Sequence, residues 1–129
     1  MNIPDDLRYT PAHEWVRLED DGSVVVGITD HAQEQLGDLV FVETPEIDAE
    51  VETDAAVAVV ESVKAASDIH APVAGTIADA NPDLADEPEL VNDDPYGRGW
   101  LFRMTPADGT EIEQLLDAEA YQSFLSELG

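Results

Sequence analysis

The strongest constraint on the fold is that roughly the first hundred residues offer only short β-favouring runs, each cut off by turn residues. Glu14-Trp15-Val16-Arg17-Leu18 alternates polar and apolar. Glu19-Asp20-Asp21-Gly22 then turns the chain into Ser23-Val24-Val25-Val26-Gly27-Ile28, which predicts a β-hairpin. A short helix follows, with Asp30 as its expected cap, Gln33 three residues on and Gly37 as its stop. Leu39 to Val42 reads as the next strand, closed by Thr44-Pro45. Ala55 to Glu61 is apolar enough to be a largely buried strand, and Ala66 to Ala71 is its natural return. The tight turn between them holds Ser62-Val63-Lys64-Ala65, placing Lys64 at or beside an exposed tip.

Val73 to Ala80 predicts a further strand, with Gly75 inside it. The proline- and acid-rich stretch from Asn81 to Gly99 has no period and reads as loop with a turn or two of helix. Trp100 to Met104 returns as a strand expected to place Trp100, Phe102 and Met104 on one face. The C-terminus differs. Asp117 can cap a helix whose Tyr121, Phe124, Leu125 and Leu128 recur at helical spacing, an apolar stripe for packing on the body of the fold. Gly37 to Glu61 and Gly75 to Met104 share an outline of strand, proline turn and closing strand, which suggests a small sandwich of two similar halves. The expectation is a mainly β single domain over 1–129, with its core at 9–104 and a helical extension at 108–128.

Composition narrows the function. Thirty Asp and Glu stand against five Lys and Arg, a net charge of −25, which argues against nucleic-acid binding. The acids are scattered through loops and helices rather than gathered in a block, which fits a solvated surface suited to concentrated salt, as in halophiles, better than an interaction tail. At ~1 M salt the screening length is only about 3 Å, so such a charge is tolerable there and self-repelling in dilute buffer. No apolar run approaches the ~20 residues of a membrane span. The opening Met1-Asn2-Ile3-Pro4-Asp5-Asp6 has no basic or apolar leader pattern, and cysteine is absent, so a cytoplasmic protein without disulfides or thiol chemistry is expected.

Lys64 is the only lysine in the chain. A surface that has shed lysine everywhere else has kept it at the tip of a predicted hairpin, where a rigid scaffold offers its groups. Catalysis has little support. His13, His31 and His70 form no metal pair, Ser62 lacks a nucleophile-elbow context, and Gly97-Arg98-Gly99 is too short to cradle phosphate, so neither a metal site nor an enzyme is expected.

Glu61-Ser62-Val63-Lys64-Ala65 closely resembles the lipoylation site of glycine cleavage H proteins. Tyr9 to Val16 resembles that family's opening strand, Gly27 to Asp38 its helix-containing motif, and Asn92, Pro95, Tyr96, Gly99 and Trp100 its late loop and strand. The matches run in family order over about residues 7–125. The resemblance implies a barrel-sandwich hybrid of the lipoyl-domain kind with a short internal helix and a C-terminal helix. It also implies lipoate joined as an amide to Lys64. The arm would accept an aminomethyl group from the glycine decarboxylase (P protein) and present it to the aminomethyltransferase (T protein). Dihydrolipoamide dehydrogenase (L protein) would reoxidise it, and a lipoate-attaching enzyme would load the cofactor. The protein itself would be a non-catalytic carrier.

By the same resemblance Glu61 is read by the attaching enzyme, and Glu14 and Asp68 line the cleft that shelters the loaded arm. Ala12 stands where many members have Ser, and Gln35 where some have His. Other carriers fit less well: biotin domains flank their lysine with methionines, and lipoyl domains of the 2-oxoacid dehydrogenases read Asp-Lys-Ala. An H-like protein serving chiefly as a lipoate donor is the alternative function, and an acidic structural module would leave Lys64 unmodified.

Overall fold

Two antiparallel sheets face each other in the computed structural model, which describes residues 3–128. Met1, Asn2 and Gly129, which fall within the expected leader-free start and domain bounds, lie outside the described residues. The strands are β1 (Arg8–Tyr9), β2 (Glu14–Leu18), β3 (Val24–Ile28), β4 (Leu39–Glu43), β5 (Glu50–Val51), β6 (Ala56–Ser62), β7 (Ala66–His70), β8 (Gly75–Ala80) and β9 (Phe102–Pro106). One sheet runs β1-β2-β3-β9-β8-β5, the other β4-β6-β7. The helices are α1 (Asp30–Leu36), α2 (Leu90–Asp93), α3 (Thr110–Glu113) and α4 (Ala118–Leu128), with a 3-10 turn at Pro82–Ala85. The mainly β expectation holds, with both the internal and the C-terminal helix.

Side-chain alternation explains the sandwich. Ala58 and Val60 of β6, Ile69 of β7 and Leu39 and Val42 of β4 turn inward and are buried. They pack in one cluster with Val24, Val26 and Ile28 of β3, Ile77 of β8, and Phe102 and Met104 of β9. β3 reads as an unbroken apolar run because both of its faces are covered: Val25 belongs to a second cluster with Leu7, Tyr9, Trp15 and Tyr121. Gly27 lies on that second side, opposite Trp15 in the ladder. A Cβ there would fall 2.6 Å from the indole ring, so the close approach of β2 and β3 requires glycine.

The β2–β3 turn forms as expected, with Gly22 at φ +88 and the Asp21 carboxylate accepting from both the Ser23 amide (2.9 Å) and its hydroxyl (2.6 Å). Gly37 stops α1, its N–H donating to the Gln33 carbonyl at 2.9 Å. The cap of α1 is Thr29 rather than Asp30. The Thr29 hydroxyl accepts from the Ala32 amide, while Asp30 is the first helical residue, where a carboxylate still favours the helix dipole. Asp117 does serve α4, accepting from the Ala120 amide at 2.8 Å. Of the α4 stripe, Tyr121 is fully buried and Phe124 and Leu125 partly so, whereas Leu128 is exposed.

The last strand starts at Phe102, not Trp100, and only Phe102 and Met104 share the inner face. Trp100 packs with the second cluster instead. β8 starts at Gly75 rather than Val73. The two look-alike segments do contribute one antiparallel pair to each sheet, β4–β6 and β8–β9, although β5 from the first joins β8 of the second. Replacing Phe102 by Ala opens a cavity at the centre of the sandwich. The expected loss is about 3–5 kcal/mol, read as a lower urea midpoint at fixed salt.

Candidate functional site

The β6–β7 turn is built around one hydroxyl. Ser62 Oγ accepts from the amides of Lys64 (3.3 Å) and Ala65 (3.1 Å) and donates to the Ala65 carbonyl (3.2 Å). The Ser62 amide also donates to the Ala65 carbonyl at 2.7 Å, closing the loop. This staple leaves Val63 81% exposed, with Lys64 exposed beside it. Lys64 is therefore at the tip, as the spacing predicts, and its amine is accessible. Ser62 carries no nucleophile context in sequence, yet its side chain shapes the turn that presents Lys64.

The lysine stem does not stand free. It lies over Gly37, where an added Cβ would sit 3.4 Å from Lys64 Cε and 3.8 Å from Nζ. Gly37 has φ +80, so a side chain there would be strained as well as obstructive. Read from sequence only as a helix stop, Gly37 also provides the saddle for the stem.

Leu36 and Gln35, just before that saddle, belong to a cleft of ≈ 280 Å³ whose walls also include Ala12, His13, His31 and Asp68. β7 contributes Ser67, Asp68 and Ile69, α1 His31, Ala32, Gln35 and Leu36, and the corner before β2 Ala12 and His13. Ala12 and Gln35, the two positions expected from the sequence to differ from the resembled pattern, both fall in this lining. Ala12 brings no hydroxyl, and Gln35 brings an uncharged amide. Asp68 is the one acidic residue in the lining and is exposed there.

Glu14 does not join it. Its side chain is 2% exposed and turned beneath β7, where Oε1 accepts from the Thr10 hydroxyl at 2.7 Å and Oε2 accepts from the His70 amide at 3.2 Å. His70 Nδ1 stands 3.8 Å from Oε2. Burial pushes the Glu14 carboxyl above its ordinary range, and the Thr10 and His70 hydrogen bonds oppose that shift. Glu61 faces outward from β6, exposed, paired with Ala66 across the hairpin and with Phe41 of β4. The structure thus gathers Lys64 and Glu61 at the hairpin tip and Asp68 in the neighbouring cleft, and sets Glu14 behind the cleft wall.

Two further residues hold these parts in register. The Asn92 amide donates to the Gly37 carbonyl (2.9 Å) and to Gln33 Oε1 (3.1 Å), while Asn92 Oδ1 accepts from the Leu39 amide (2.9 Å). Leu39 is the ladder partner of Ser62, so α2 braces both the lysine saddle and the strand beside the turn. Tyr121 does the same for the far wall. Its hydroxyl shares hydrogen bonds of 2.8 Å with both His13 Nδ1 and the Thr29 hydroxyl. In sequence Asn92 is marked only by resemblance to the family's late loop, and Tyr121 is one member of an apolar stripe, so the bracing role of neither carries a local signal.

The comparisons with known proteins agree with this geometry. The family model described as "Glycine cleavage H-protein" matches residues 7–128. A glycine cleavage system H protein from Halorhodospira halophila is 61% identical over 127 residues, covering 98% of each chain. One from Alkalilimnicola ehrlichii is 58% identical, covering 97% of this chain and 96% of that one. The crystal structure of a glycine cleavage system H protein from Mycobacterium marinum superposes with a TM-score of 0.88 at 40% identity, over 96% of this chain and 99% of that one. Asn92→Ala should leave the Leu39 amide and the Gly37 carbonyl unpaired, costing about 1–3 kcal/mol, with faster hydrogen exchange at Leu39 as the local readout. With the fold, the family model and these relatives in agreement over nearly its whole length, the chain belongs to the glycine cleavage H-protein family.

Proposed function

We propose that this chain is the lipoyl carrier of a glycine cleavage system, with lipoate joined as an amide to Lys64. It would collect the aminomethyl group of glycine at the decarboxylase and deliver it to the aminomethyltransferase. Reoxidation falls to dihydrolipoamide dehydrogenase, and a cytoplasmic lipoate-attaching enzyme loads the chain. The observation that carries this reading is the accessible Lys64 amine on a Ser62-stapled turn, its stem lying across Gly37 at the end of a cleft-lining helix. When attached, lipoate supplies a redox-active sulfur pair on a swinging tether.

The residues present fit that group. The Lys64 amine can be acylated because nothing covers the tip, and acylation removes its charge. Lys64 and its attachment add on the order of ten rotatable bonds of ~1.5 Å, enough to reach more than ~10 Å from the turn. The cleft that begins beside the saddle offers apolar walls from Ile28, Ala32 and Leu36, and one carboxylate, Asp68. A cationic amine carried on the arm would pair with Asp68 beside these apolar walls. Glu14 acts from behind: by holding the His70 amide it fixes the strand that carries Asp68. Glu61, outward on β6 beside the turn, would be read by the attaching enzyme. The carrier contributes position and tethering rather than catalysis, raising the effective concentration of its cargo at each enzyme. It works as one domain over 1–129, with the 108–128 extension packed on the core.

We also read the acid excess as adaptation to concentrated salt. Arg17–Glu19, at 3.3 Å, is the one arginine–carboxylate or lysine–carboxylate contact found among the described residues, so most acids rely on solvent and ions for screening.

Intact-mass analysis of protein from its native host should show a single addition equal to one lipoyl amide, absent in Lys64→Arg. An unmodified chain refutes the carrier reading. Reconstitution with the purified partner enzymes should give glycine-dependent decarboxylation with the loaded protein and none with Lys64→Arg. A lipoylated chain that accepts no aminomethyl group, yet passes its lipoate to another protein, would replace this reading with the lipoate-donor one. Circular dichroism should show loss of structure on dialysis from concentrated salt into dilute buffer, and full stability there would overturn the salt-adaptation reading.

A further inference from the structure

Tyr121 is the only fully buried residue of α4, and its ring stacks on Tyr9 with centroids 4.6 Å apart and planes within 6°. That packing fixes where its hydroxyl can be. The hydroxyl meets His13 Nδ1 and the Thr29 hydroxyl, each at 2.8 Å. His13 lines the cleft on a left-handed backbone, φ +70, and its ring is held by the Tyr121 hydrogen bond and by contact with the rings of His31 and Phe124. The ring centroid of His31, another cleft residue, is 4.5 Å from that of His13.

The proton order in this chain follows from donor and acceptor strength. A phenol is a stronger donor than an aliphatic alcohol, and an imidazole nitrogen is a stronger acceptor than either hydroxyl. The best arrangement has Thr29 O–H donating to the Tyr121 oxygen and Tyr121 O–H donating to His13 Nδ1. That leaves the single imidazole proton on Nε2. Burial raises the Tyr121 hydroxyl above its ordinary range, so it stays a donor. Protonated His13 would carry a proton on Nδ1 as well and could keep this contact only in reverse, with Tyr121 accepting from it and turning its own O–H to the Thr29 hydroxyl, the weaker acceptor. Burial, then the neighbouring His31, also push His13 below its ordinary value.

We propose that Tyr121 is a positioning residue for the cargo cleft, holding His13 as an uncharged ring with its proton on Nε2, so that a cationic amine entering the cleft meets the Asp68 carboxylate without a competing positive charge from His13. The inference rests on the carrier reading for its cargo, but its structural half stands without it. The titratable groups around His13 are His31 from α1, Tyr121 from α4 and Asp68 from β7, with Glu14 next to it on β2.

The test begins on the unmodified chain, with long-range proton–nitrogen spectra of 15N-histidine-labelled protein. His13 should show an Nε2-protonated ring in the native chain. In Tyr121→Phe, which keeps the stack on Tyr9, it should show mixed tautomers and a higher titration midpoint. On loaded protein, decay of the aminomethyl group to formaldehyde and ammonia should be several-fold faster in Tyr121→Phe near that midpoint, with the pH at which retention fails shifted upward. His13→Asn suits the left-handed backbone and cannot charge. Adding Tyr121→Phe to it should change neither the rate nor its pH profile. An unchanged His13 spectrum in Tyr121→Phe, or an equal Tyr121→Phe effect in the His13→Asn background, overturns the proposal. Failure to load the chain at all would strike the carrier reading, while the spectra of the unmodified chain still decide the role of Tyr121.

Discussion

The hairpin that offers Lys64 depends on the apolar contact under it. Ala58, Val60 and Ile69 of the three-stranded sheet are buried against β3, β8 and β9, and this contact anchors the β6–β7 ribbon. A two-stranded ribbon alone is marginal in water, so its tip could not hold one conformation without that support. With the underside fixed, the outward face is free to be polar, and one serine hydroxyl suffices to shape the last turn. The exposed tip with its lysine is thus separated from the packing that stabilises the fold.

The cleft shows a second division of labour. Its lining carries one acid, Asp68, while the more deeply buried carboxylate, Glu14, is spent on hydrogen bonds to Thr10 and the His70 backbone. Desolvation explains the split: a carboxylate taken out of water needs fixed donors, whereas an exposed one can meet a transient cation. Asn92 braces the end of α1 beside this space, and Tyr121 braces His13 in its lining, each from a distant part of the chain. Each satisfies several polar groups at once, so each couples a helix to the wall it supports.

Much of this was legible in the residues themselves. Alternation in Glu14 to Leu18 and the Asp-Gly turn located the β2–β3 hairpin, an apolar run before a tight turn located β6–β7, and the solitary lysine stood at its tip. Gly37 and Asp117 marked helix ends. What escaped notice depends on pairing across long sequence distances. β1 and β5 are two residues each and exist because Tyr9 meets Trp15 and Glu50 meets Thr76. Thr29 and Asp30 are both acceptable caps by type, and only backbone geometry decided for Thr29. Trp100 alternates correctly with Phe102, yet the ladder begins two residues later and the indole turns to the other cluster. The burial of Glu14 is set by His70, 56 residues away, and the polar use of Tyr121 by His13, 108 residues away. Local pattern carries neither.

The short bridge between Tyr9 and Leu116 bears on how such a chain stays unaggregated. The amide of each donates to the carbonyl of the other, at 2.7 and 2.9 Å, so the C-terminal segment seals the outer rim of β1. Sheets commonly guard such rims with lysine, which repels neighbouring strands. A chain that reserves its single lysine for another place lacks that defence. Here the rim is closed by the chain's own backbone, and the opposite rim, β5, is too short to template a stranger.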